Sequence, residues 1–560
     1  MSSTPVDAPG PKKENPFASA TPKAARKGLP IVGQDAYYQT TPKVTLRNWR
    51  RIAQIFFLVL WFGLFLATRD QSLSGIVPPT LYLITDPLVA AITMGASRVL
   101  VWTLAPSLFF IVFTLIFGRA FCGWICPLGT MIDLSAKIFK PREHTFSMET
   151  HLKLQYLKYI VLAIMVVGGF ASAQWVYLLD PLVLLFRAFA AGVWPLATVA
   201  HDLFSNGDVD RGTVWMAYHG VAFAPVALLL AVLGGTAITP RFYCRYVCPL
   251  GAFYGLLSRA PLLRRRVSGC DACTGVETEK QCVTGCRMGA VNTNPHKTQN
   301  HECIRCFSGR SFCHKEAIHF DWVKSNGSPE AQDVPVDMSR RAFVVAGGTG
   351  LALAPLAAAS AYHRGHENNV IRPPRVLDEE TFTDQCIRCA MCVQACPSQT
   401  LQLVHFEAGI AGFWTPAITP TVGGCLPECD ACSVACPTDA IPVFQKDEKS
   451  KWATKMGTAV LEKGRCVCYT DGVACGKCLD VCPTKAFAIE PLDSNESKDN
   501  PRRPVSVDYV RCVGCGLCEL ECSKIVFGTP ALLTFAHGRG QLTVLQEMPT
   551  RDYEPPAGKG

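Results

Sequence analysis

The stretch that decides the fold runs from Cys386 to Pro397 and reads CIRCAMCVQACP. Its thiols, Cys386, Cys389, Cys392 and Cys396, have the spacing C-x2-C-x2-C-x3-C, and the last one precedes proline. Three thiolates on one tight loop can hold three irons of a cubane, while a fourth beside proline typically ligates a neighbouring cluster. The stretch therefore predicts an α+β ferredoxin-like fold that binds 4Fe-4S clusters.

Three further cysteine sets follow, so we expect four 4Fe-4S clusters in this domain. They are Cys425, Cys429, Cys432 and Cys436; Cys466 or Cys468, one of them surplus, with Cys475, Cys478 and Cys482; and Cys512, Cys515, Cys518 and Cys522. The fourth cysteine of each motif is expected to ligate the partner motif's cluster. We expect the first motif to pair with the fourth and the second with the third, so that Cys522 completes the first set and Cys396 the fourth. Pairing of adjacent motifs is the alternative.

The composition indicates that part of the chain lies in a membrane. Hydrophobic residues make up 49% of the chain and charged residues 18%, whereas soluble domains average about 25% charged. Five apolar stretches approach the ~20 residues that cross a bilayer, namely 51–67, 99–117, 157–173, 215–233 and 342–359. The 28 cysteines have short spacings ending in Cys-Pro, which favour clusters over a disulfide framework. We therefore expect a polytopic α-helical membrane module of about five spans joined to ferredoxin-like domains.

Charge predicts the orientation in a bacterial inner membrane. Residues 1–51 hold nine Lys and Arg against three acids, and such excesses mark the cytoplasmic side. The loops near 68–97 and 174–213 are poor in Lys and Arg, so we expect them outside. Ser339-Arg340-Arg341 heads the fifth span and resembles a twin-arginine export signal. The N-terminus is then cytoplasmic and the C-terminal domain periplasmic.

These observations predict seven segments. They are a disordered cytoplasmic tail (1–45), a four-span membrane module (46–240), a cytoplasmic ferredoxin-like segment (241–337), a twin-arginine-like fifth span (338–362), a linker (363–380), a periplasmic four-cluster ferredoxin domain (381–545) and a tail (546–560). No basic patch with interleaved aromatic residues stands out, so nucleic acid is not an expected partner.

An internal repeat within the membrane module predicts a shared site. Two Asp-Pro-Leu segments begin at Asp86 and Asp180, and two C-x3-C-Pro motifs contribute Cys122, Cys126, Cys244 and Cys248. Two similar halves build sites from both sides of a pseudo-two-fold axis. The four thiols are expected to bind one cluster, or to form two separate dithiols. Asp86 and Asp180 either accept protons from a quinol or cap re-entrant helices.

The cytoplasmic segment resembles a two-cluster ferredoxin with defects. Swapped ligation would give one complete site, from Cys270, Cys273, Cys282 and Cys313. The other site would have Cys286, Cys303 and Cys306 only, because Gly309 stands at the third ligand position and Arg287 replaces the usual proline. This second site could hold a 3Fe-4S cluster, recruit His301 or His314, or be empty, so the segment carries one or two clusters.

Residues 46–320 resemble NapH, the membrane quinol-dehydrogenase component of periplasmic nitrate reduction, by their spans, their two C-x3-C-Pro motifs and their ferredoxin segment. Residues 338–545 resemble NapG, an exported four-cluster ferredoxin, by the twin-arginine leader and the four quartets. MauN and MauM are similar in the same regions, and NosR and CcoG share the membrane motifs. The chain thus resembles a fusion of a NapH-type with a NapG-type protein.

This resemblance implies electron transfer between the quinol pool and a periplasmic reductase or dehydrogenase, with a cytochrome c as a further candidate partner. Quinol would be the substrate, which would make the protein a quinol dehydrogenase or an electron-transfer subunit. The alternative, which the CcoG-like motifs suggest, is an accessory factor that reduces a metal or thiol site while a partner metalloenzyme is assembled.

Overall fold

Helices dominate the first half of the chain and short strand pairs the second. The computed structural model describes residues 45–69, 78–139, 148–170, 174–205, 223–259, 261–267, 285–291, 298–313, 317–322, 348, 370–409, 411–444, 451–489, 505–526 and 528–539. From Thr45 onward the chain forms one compact unit. We call residues 45–259 the helical module, residues 261–322 the middle segment and residues 370–539 the C-terminal domain.

The helical module contains long apolar helices joined by short ones. Its α-helices are α1 Thr45–Ala67, α2 Leu81–Ile84, α3 Pro87–Ser97, α4 Ser107–Phe117, α5 Ala120–Trp124, α6 Pro127–Ile138, α7 Met148–Gln155, α8 Leu157–Phe170, α9 Pro181–Ala188, α10 Trp194–Ser205, α11 Phe223–Gly234, α12 Phe242–Tyr246 and α13 Pro249–Leu257. A π-helical turn, Phe189–Val193, joins α9 to α10.

Within the described residues, three helices are long and apolar enough to cross a membrane by length and composition, namely Asn48–Ala67, Thr150–Phe170 and Pro181–Thr198. The first two confirm the helices expected at 51–67 and 157–173. The expected spans at 99–117 and 215–233 correspond to shorter apolar helices, Trp102–Phe117 and Phe223–Ala237.

The ranges near 68–97 and 174–213, which were expected outside, contain apolar helices. Pro87–Ser97 lies in the first and Pro181–Thr198 in the second. In each, an aspartate before proline caps the helix start, and apolar residues follow. Both helices consist largely of buried side chains.

The middle segment and the C-terminal domain are built from short helices and two-stranded sheets. The helices are α14 Ser308–Phe312, α15 Glu379–Gln385, α16 Met391–Ala395, α17 Ala431–Val434, α18 Val467–Thr470, α19 Lys477–Asp480 and α20 Leu517–Ser523. The strands are β1 Leu263–Val267, β2 Ile318–Trp322, β3 Leu401–Leu403, β4 Pro416–Ile418, β5 Thr458–Leu461, β6 Phe487–Ile489, β7 Val505–Val507 and β8 Leu532–Phe535. Antiparallel pairs form between β1 and β2, β3 and β4, β5 and β8, and β6 and β7.

One apolar core joins the helical module to the C-terminal domain. Ile387 and Met391 of that domain are buried in the same cluster as Leu184 and Phe186 of α9. Helix α15 packs on α3, and α16 packs on the π-helical turn. The two parts therefore share a continuous hydrophobic interior, which holds the first cysteine motif against the helices.

The predicted linker 363–380 is wrong in its second half. Val370, Ile371 and Arg372 are buried, and Arg372 donates to Glu379 of α15. The chain therefore enters the C-terminal domain by residue 370, because these side chains complete its core.

Several predictions fall outside the described residues. They concern the tail before Thr45, the predicted ligands Cys270, Cys273, Cys282 and His314, and the final tail 546–560. The twin-arginine-like span 338–362 also lies outside them, except for Gly348.

Candidate metal centres and their surroundings

Four helices of the helical module begin with the same local arrangement, a capping side chain followed by Pro-Leu. Asp86 Oδ1 accepts from the backbone N–H of Leu88 at 2.8 Å, and Asp180 Oδ1 accepts from Leu182 N–H at 3.0 Å. Proline suits the first helical position because no donor is needed there, and a side-chain acceptor satisfies the free N–H groups. The sequence alternative of helix capping is therefore confirmed for both aspartates.

Thiols cap the other two helices. Cys126 Sγ accepts from Gly129 N–H at 3.4 Å and Cys248 Sγ from Gly251 N–H at 3.2 Å. Cys126 lies within electrostatic range of Cys122 and Cys244, and Cys248 lies within range of the other three thiols. The fold thus brings Cys122, Cys126, Cys244 and Cys248 into one group at the starts of α6 and α13.

Both aspartates keep one oxygen without a partner. Asp86 and Asp180 are buried and lie within electrostatic range of each other. Among the described residues, neither Asp86 Oδ2, Asp180 Oδ2 nor the hydroxyl of buried Tyr254 has a hydrogen-bond partner. Tyr254 lies within range of both carboxylates and of Cys122 and Cys126. Capping uses only half of each carboxylate, so acceptors are left for a ligand.

A buried ionic network attaches the middle segment, and sequence reasoning missed it. Glu302 accepts from Arg119 Nη1 at 2.7 Å and pairs with Lys158, and all three side chains are at most 1% exposed. Burial raises the pKa of Glu302, but Lys158 and Arg119 overcome this and lower it to about 2. One signal was available, because Arg119 and Arg241 each stand three residues before the first cysteine of a C-x3-C-Pro motif.

The three cysteines of the incomplete site come together in the middle segment. Cys286 lies within electrostatic range of Cys303 and Cys306. All three pack, beside Cys122 and Cys244, against a small apolar cluster that contains Ile304. A Cβ added at Gly309 would meet only Ile318 Cδ1, at 3.7 Å, so a side chain has room there. The incomplete site is therefore adjacent to the set of four thiols in the helical module.

Adjacent motifs, not distant ones, pair in the C-terminal domain. Burial, then Cys386 and Cys436, raise the pKa of Cys389, and burial, then Cys389, Cys386, Cys436 and Cys432, raise the pKa of Cys392. The pKa of Cys432 is likewise raised by burial and then by a set that includes Cys425, Cys396 and Cys429. The first set is therefore Cys386, Cys389, Cys392 and Cys436, and the second is Cys396, Cys425, Cys429 and Cys432.

The third and fourth motifs exchange their last cysteines in the same way. One cavity is lined by Cys466, Cys468, Cys475, Cys478 and Cys522. A second cavity is lined by Cys482, Cys512, Cys515 and Cys518. The expected pairing of the first motif with the fourth, which gave Cys522 to the first set and Cys396 to the fourth, was wrong. The physical reason is that α16 packs on α17 and α19 on α20, so each helix pair encloses two sets.

Cys466 and Cys468 have different surroundings. Cys478 lies within range of Cys475 and Cys466, whereas buried Cys468 donates its Sγ–H to Cys475 O at 3.3 Å. This arrangement favours Cys466 as the fourth thiolate of the third set. A backbone bond from Cys425 N–H to Cys515 O, 2.8 Å long, joins the second set to the fourth. The four sets therefore run in the order first, second, fourth, third.

These donor sets suit clusters better than single ions. Within the described ranges, no three His, Cys, Asp or Glu side chains are placed to hold one metal ion. The thiols of the third and fourth sets instead line one cavity each, with five and four cysteines respectively, which matches the all-thiolate ligation of a 4Fe-4S cluster.

Comparison with known proteins agrees with this chemistry. A family model described as a 4Fe-4S binding domain matches residues 99–145 and 221–269, and one described as a 4Fe-4S dicluster domain matches residues 424–486 and 473–526. The methylamine utilization ferredoxin-type protein MauM of Methylorubrum extorquens is 34% identical over 28% of this chain and 69% of its own length. The chain belongs to the MauM family of ferredoxin-type proteins.

Two further relatives are similar over part of the chain. An uncharacterized protein of Methanocaldococcus jannaschii, MJ0750, is 32% identical over 39% of this chain and 79% of its own length. The ferredoxin-type protein NapG of Escherichia coli is 29% identical over 31% of this chain and 74% of its own length. No solved structure matches. As a MauM-family protein, the chain is an iron–sulfur electron-transfer protein of the ferredoxin type.

Proposed function

We propose that this ferredoxin-type protein oxidises quinol in the bacterial inner membrane and passes the electrons to a periplasmic redox enzyme. The observation that carries the proposal is the buried pair of carboxylates, Asp86 and Asp180, each with one oxygen that has no hydrogen-bond partner within the described ranges. Tyr254 lies within electrostatic range of both carboxylates and of two of the four thiols in the helical module, Cys122 and Cys126. Tyr177 likewise lies within electrostatic range of both aspartates and of Arg388, which belongs to the first cysteine motif of the C-terminal domain.

The proposed chemistry divides protons from electrons. A quinol releases two protons and two electrons, and a carboxylate within hydrogen-bond reach can accept a proton as a general base. Iron–sulfur clusters, when bound to the thiol sets, would accept electrons one at a time. Asp86 and Asp180 stay anchored through Oδ1 to their helix starts, so Oδ2 is held in place to take the proton.

The cysteine sets of the C-terminal domain would carry the electrons from the helical module to the partner enzyme. Its sets run from the first, which lies in the core shared with the helices, to the third, whose Cys466, Cys475 and Cys478 are only partly buried. Val473 beside the third set is 51% exposed. We therefore assign the partner's contact to the third set. The partner is a periplasmic reductase or, for the reverse flow, a dehydrogenase, or a cytochrome c.

The membrane placement rests on the three long apolar helices and on the charge distribution of the sequence. In this arrangement the N-terminus is cytoplasmic and the C-terminal domain periplasmic. A reporter enzyme fused after Gly560 should be active only outside the cytoplasm, and activity inside would contradict this topology.

The quinol role is tested by anaerobic spectroscopy of the purified protein. A menaquinol analogue should bleach the visible absorbance of the oxidised clusters, because the electrons enter the thiol-bound clusters. Dithionite serves as the control for full reduction. Bleaching by dithionite alone, with none by the quinol, would exclude quinol as the donor.

A genetic experiment separates electron supply from an accessory role. In a deletion strain, the partner enzyme should regain full activity when artificial donors replace the missing electrons. A partner that stays inactive with artificial donors would instead indicate a role in its assembly.

A further inference from the structure

Arg187 connects the helical module to the first outer motif. It lies on α9 and is 1% exposed. Its Nε donates to the carbonyl oxygen of Arg388 at 2.7 Å, and its guanidinium carbon lies 5.0 Å from the centre of the Trp414 ring. A buried arginine of the helices is thus held by the backbone and an aromatic face of the other domain, which fixes the position of its charge.

The contact falls on the loop that carries the first thiol set. Arg388 stands between Cys386 and Cys389, and the Arg187 charge lies within electrostatic range of both thiols and of Asp180. Its Nη2 has no hydrogen-bond partner among the described residues. The charge is therefore not neutralised by a close ion pair and acts on the cluster site.

The buried cations of two other sets come from the C-terminal domain itself. Lys451 donates to Cys429 O of the second set at 2.8 Å. Lys455 lies within range of Cys512 in the fourth set. The first set has Arg388 and Arg372 of its own domain, but also Arg187 from the helices. A fixed positive charge favours the reduced cluster, which carries one more negative charge, and net charge and hydrogen bonding set the reduction potential.

We propose that Arg187 is a positioning residue of the helical module that raises the reduction potential of the cluster at Cys386, Cys389, Cys392 and Cys436. The readiness of this cluster to accept an electron then depends on the docking of the C-terminal domain against α9. The proposal requires the outer clusters but not quinol oxidation, so either can fail alone.

The test is an anaerobic redox titration of the full-length protein, followed by electron paramagnetic resonance. Arg187→Gln should lower the midpoint potential of one cluster and leave the other outer clusters unchanged. Arg187→Lys, which keeps the charge but not the planar fork, should give a smaller shift. The affected cluster should be the one whose signal is missing in Cys389→Ala, and the iron content of both Arg187 variants should equal that of the parent.

Lys451→Gln is the matched control, because it removes a buried cation from the second set and should shift a different cluster. Unchanged potentials in Arg187→Gln, with all clusters present, would overturn the proposal. Equal shifts in the Gln and Lys variants would also overturn it, since charge would then not matter. If the Gln variant loses the first cluster, the Lys variant decides. A retained cluster with a slightly lowered potential supports the proposal, and its loss as well refutes it.

Discussion

The two repeat halves of the helical module are alike at their centre and different at their edges. Each half contributes one aspartate and one cysteine that cap helices before Pro-Leu. Each also has an arginine three residues before its first cysteine. Arg119 of the first half pairs with Glu302 in the middle segment, whereas Arg241 of the second half pairs with Asp133 inside the module.

The opposite edge differs as well. The first half meets the C-terminal domain through Thr103, which donates to Pro437 O at 3.0 Å, and the second half meets it through Arg187. Counted from Asp86 and Asp180, the position equivalent to Arg187 is Thr93, whose hydroxyl hydrogen-bonds with Tyr177 of the same module, so the buried charge of the second half has no counterpart at that position of the first. The comparison teaches that a shared centre can be connected to unlike neighbours by changing only peripheral residues, which gives a symmetric site a direction.

The largest expected effect tests the shared centre. Cys126→Ser and Cys248→Ser should each abolish the cluster of the helical module, lowering the iron content by about four atoms per chain. Serine can still cap a helix, so the fold should persist. Iron and sulfide analysis measures the loss, and Cys468→Ser, at the surplus cysteine, should leave the iron content unchanged. Unequal losses in the two halves would break the comparison, and no loss in either variant would indicate separate dithiols.

The aspartates test whether the halves are also chemically equivalent. Asp86→Asn and Asp180→Asn should slow quinol-dependent cluster reduction by about 100-fold or more, because general-base catalysis contributes factors of about 10² to 10⁴. Asparagine remains a good N-cap, so stability should change little. Stopped-flow absorbance measures the rate, with dithionite reduction as the control. A normal rate in either variant would exclude that aspartate as a required base.

The attachment of the middle segment to the first half of the helical module should depend on Glu302. Glu302→Gln leaves Arg119 and Lys158 buried without their carboxylate, and breaking a buried ion pair costs about 3–5 kcal/mol. Thermal unfolding in detergent should therefore show a clear loss of stability. The control is Glu521→Gln, which breaks an exposed pair with Lys524 worth about 1 kcal/mol at most. Similar losses in both variants would mean that the buried network does not hold the middle segment.

The smallest effect concerns pH and the domain that Arg187 meets. Burial raises the pKa of Glu379, but hydrogen bonds and charges from Arg372 and Arg539 bring it below its usual value. Because the folded pKa lies below the unfolded one, this stabilisation is present above about pH 4.5 and is lost as the pH falls through the folded pKa. The melting temperature of Glu379→Gln, measured between about pH 6 and about pH 3, should depend less on pH than that of the parent protein. An identical pH dependence in parent and variant would contradict the assignment.

Sequence reasoning succeeded where the determinants are local. A C-x2-C-x2-C loop identifies its own cluster site because the ligands are neighbours in the chain, and α1 and α8 follow from uninterrupted apolar runs. Motif pairing could not be predicted, because it depends on which short helices pack together. The helix Pro181–Thr198 was missed because scarce Lys and Arg were taken as the sign of an outer loop.

The site was predictable in the same uneven way. The cysteines and aspartates could be named from motifs, whereas Glu302 and Arg187 act through partners more than 180 residues away in the chain. Only tertiary structure brings such residues together. The choice between Cys466 and Cys468 likewise needed the position of Cys475.

The continuous core between the helices and the C-terminal domain has a consequence for dilution. In a single chain, the docking of the two parts is intramolecular. The C-terminal domain therefore stays at a high effective concentration near the helices, regardless of how much protein the cell makes. An interface of modest intrinsic affinity is then sufficient, and every helical module has one C-terminal domain of its own. Contact between the helical module and the C-terminal domain therefore does not depend on an encounter between two molecules.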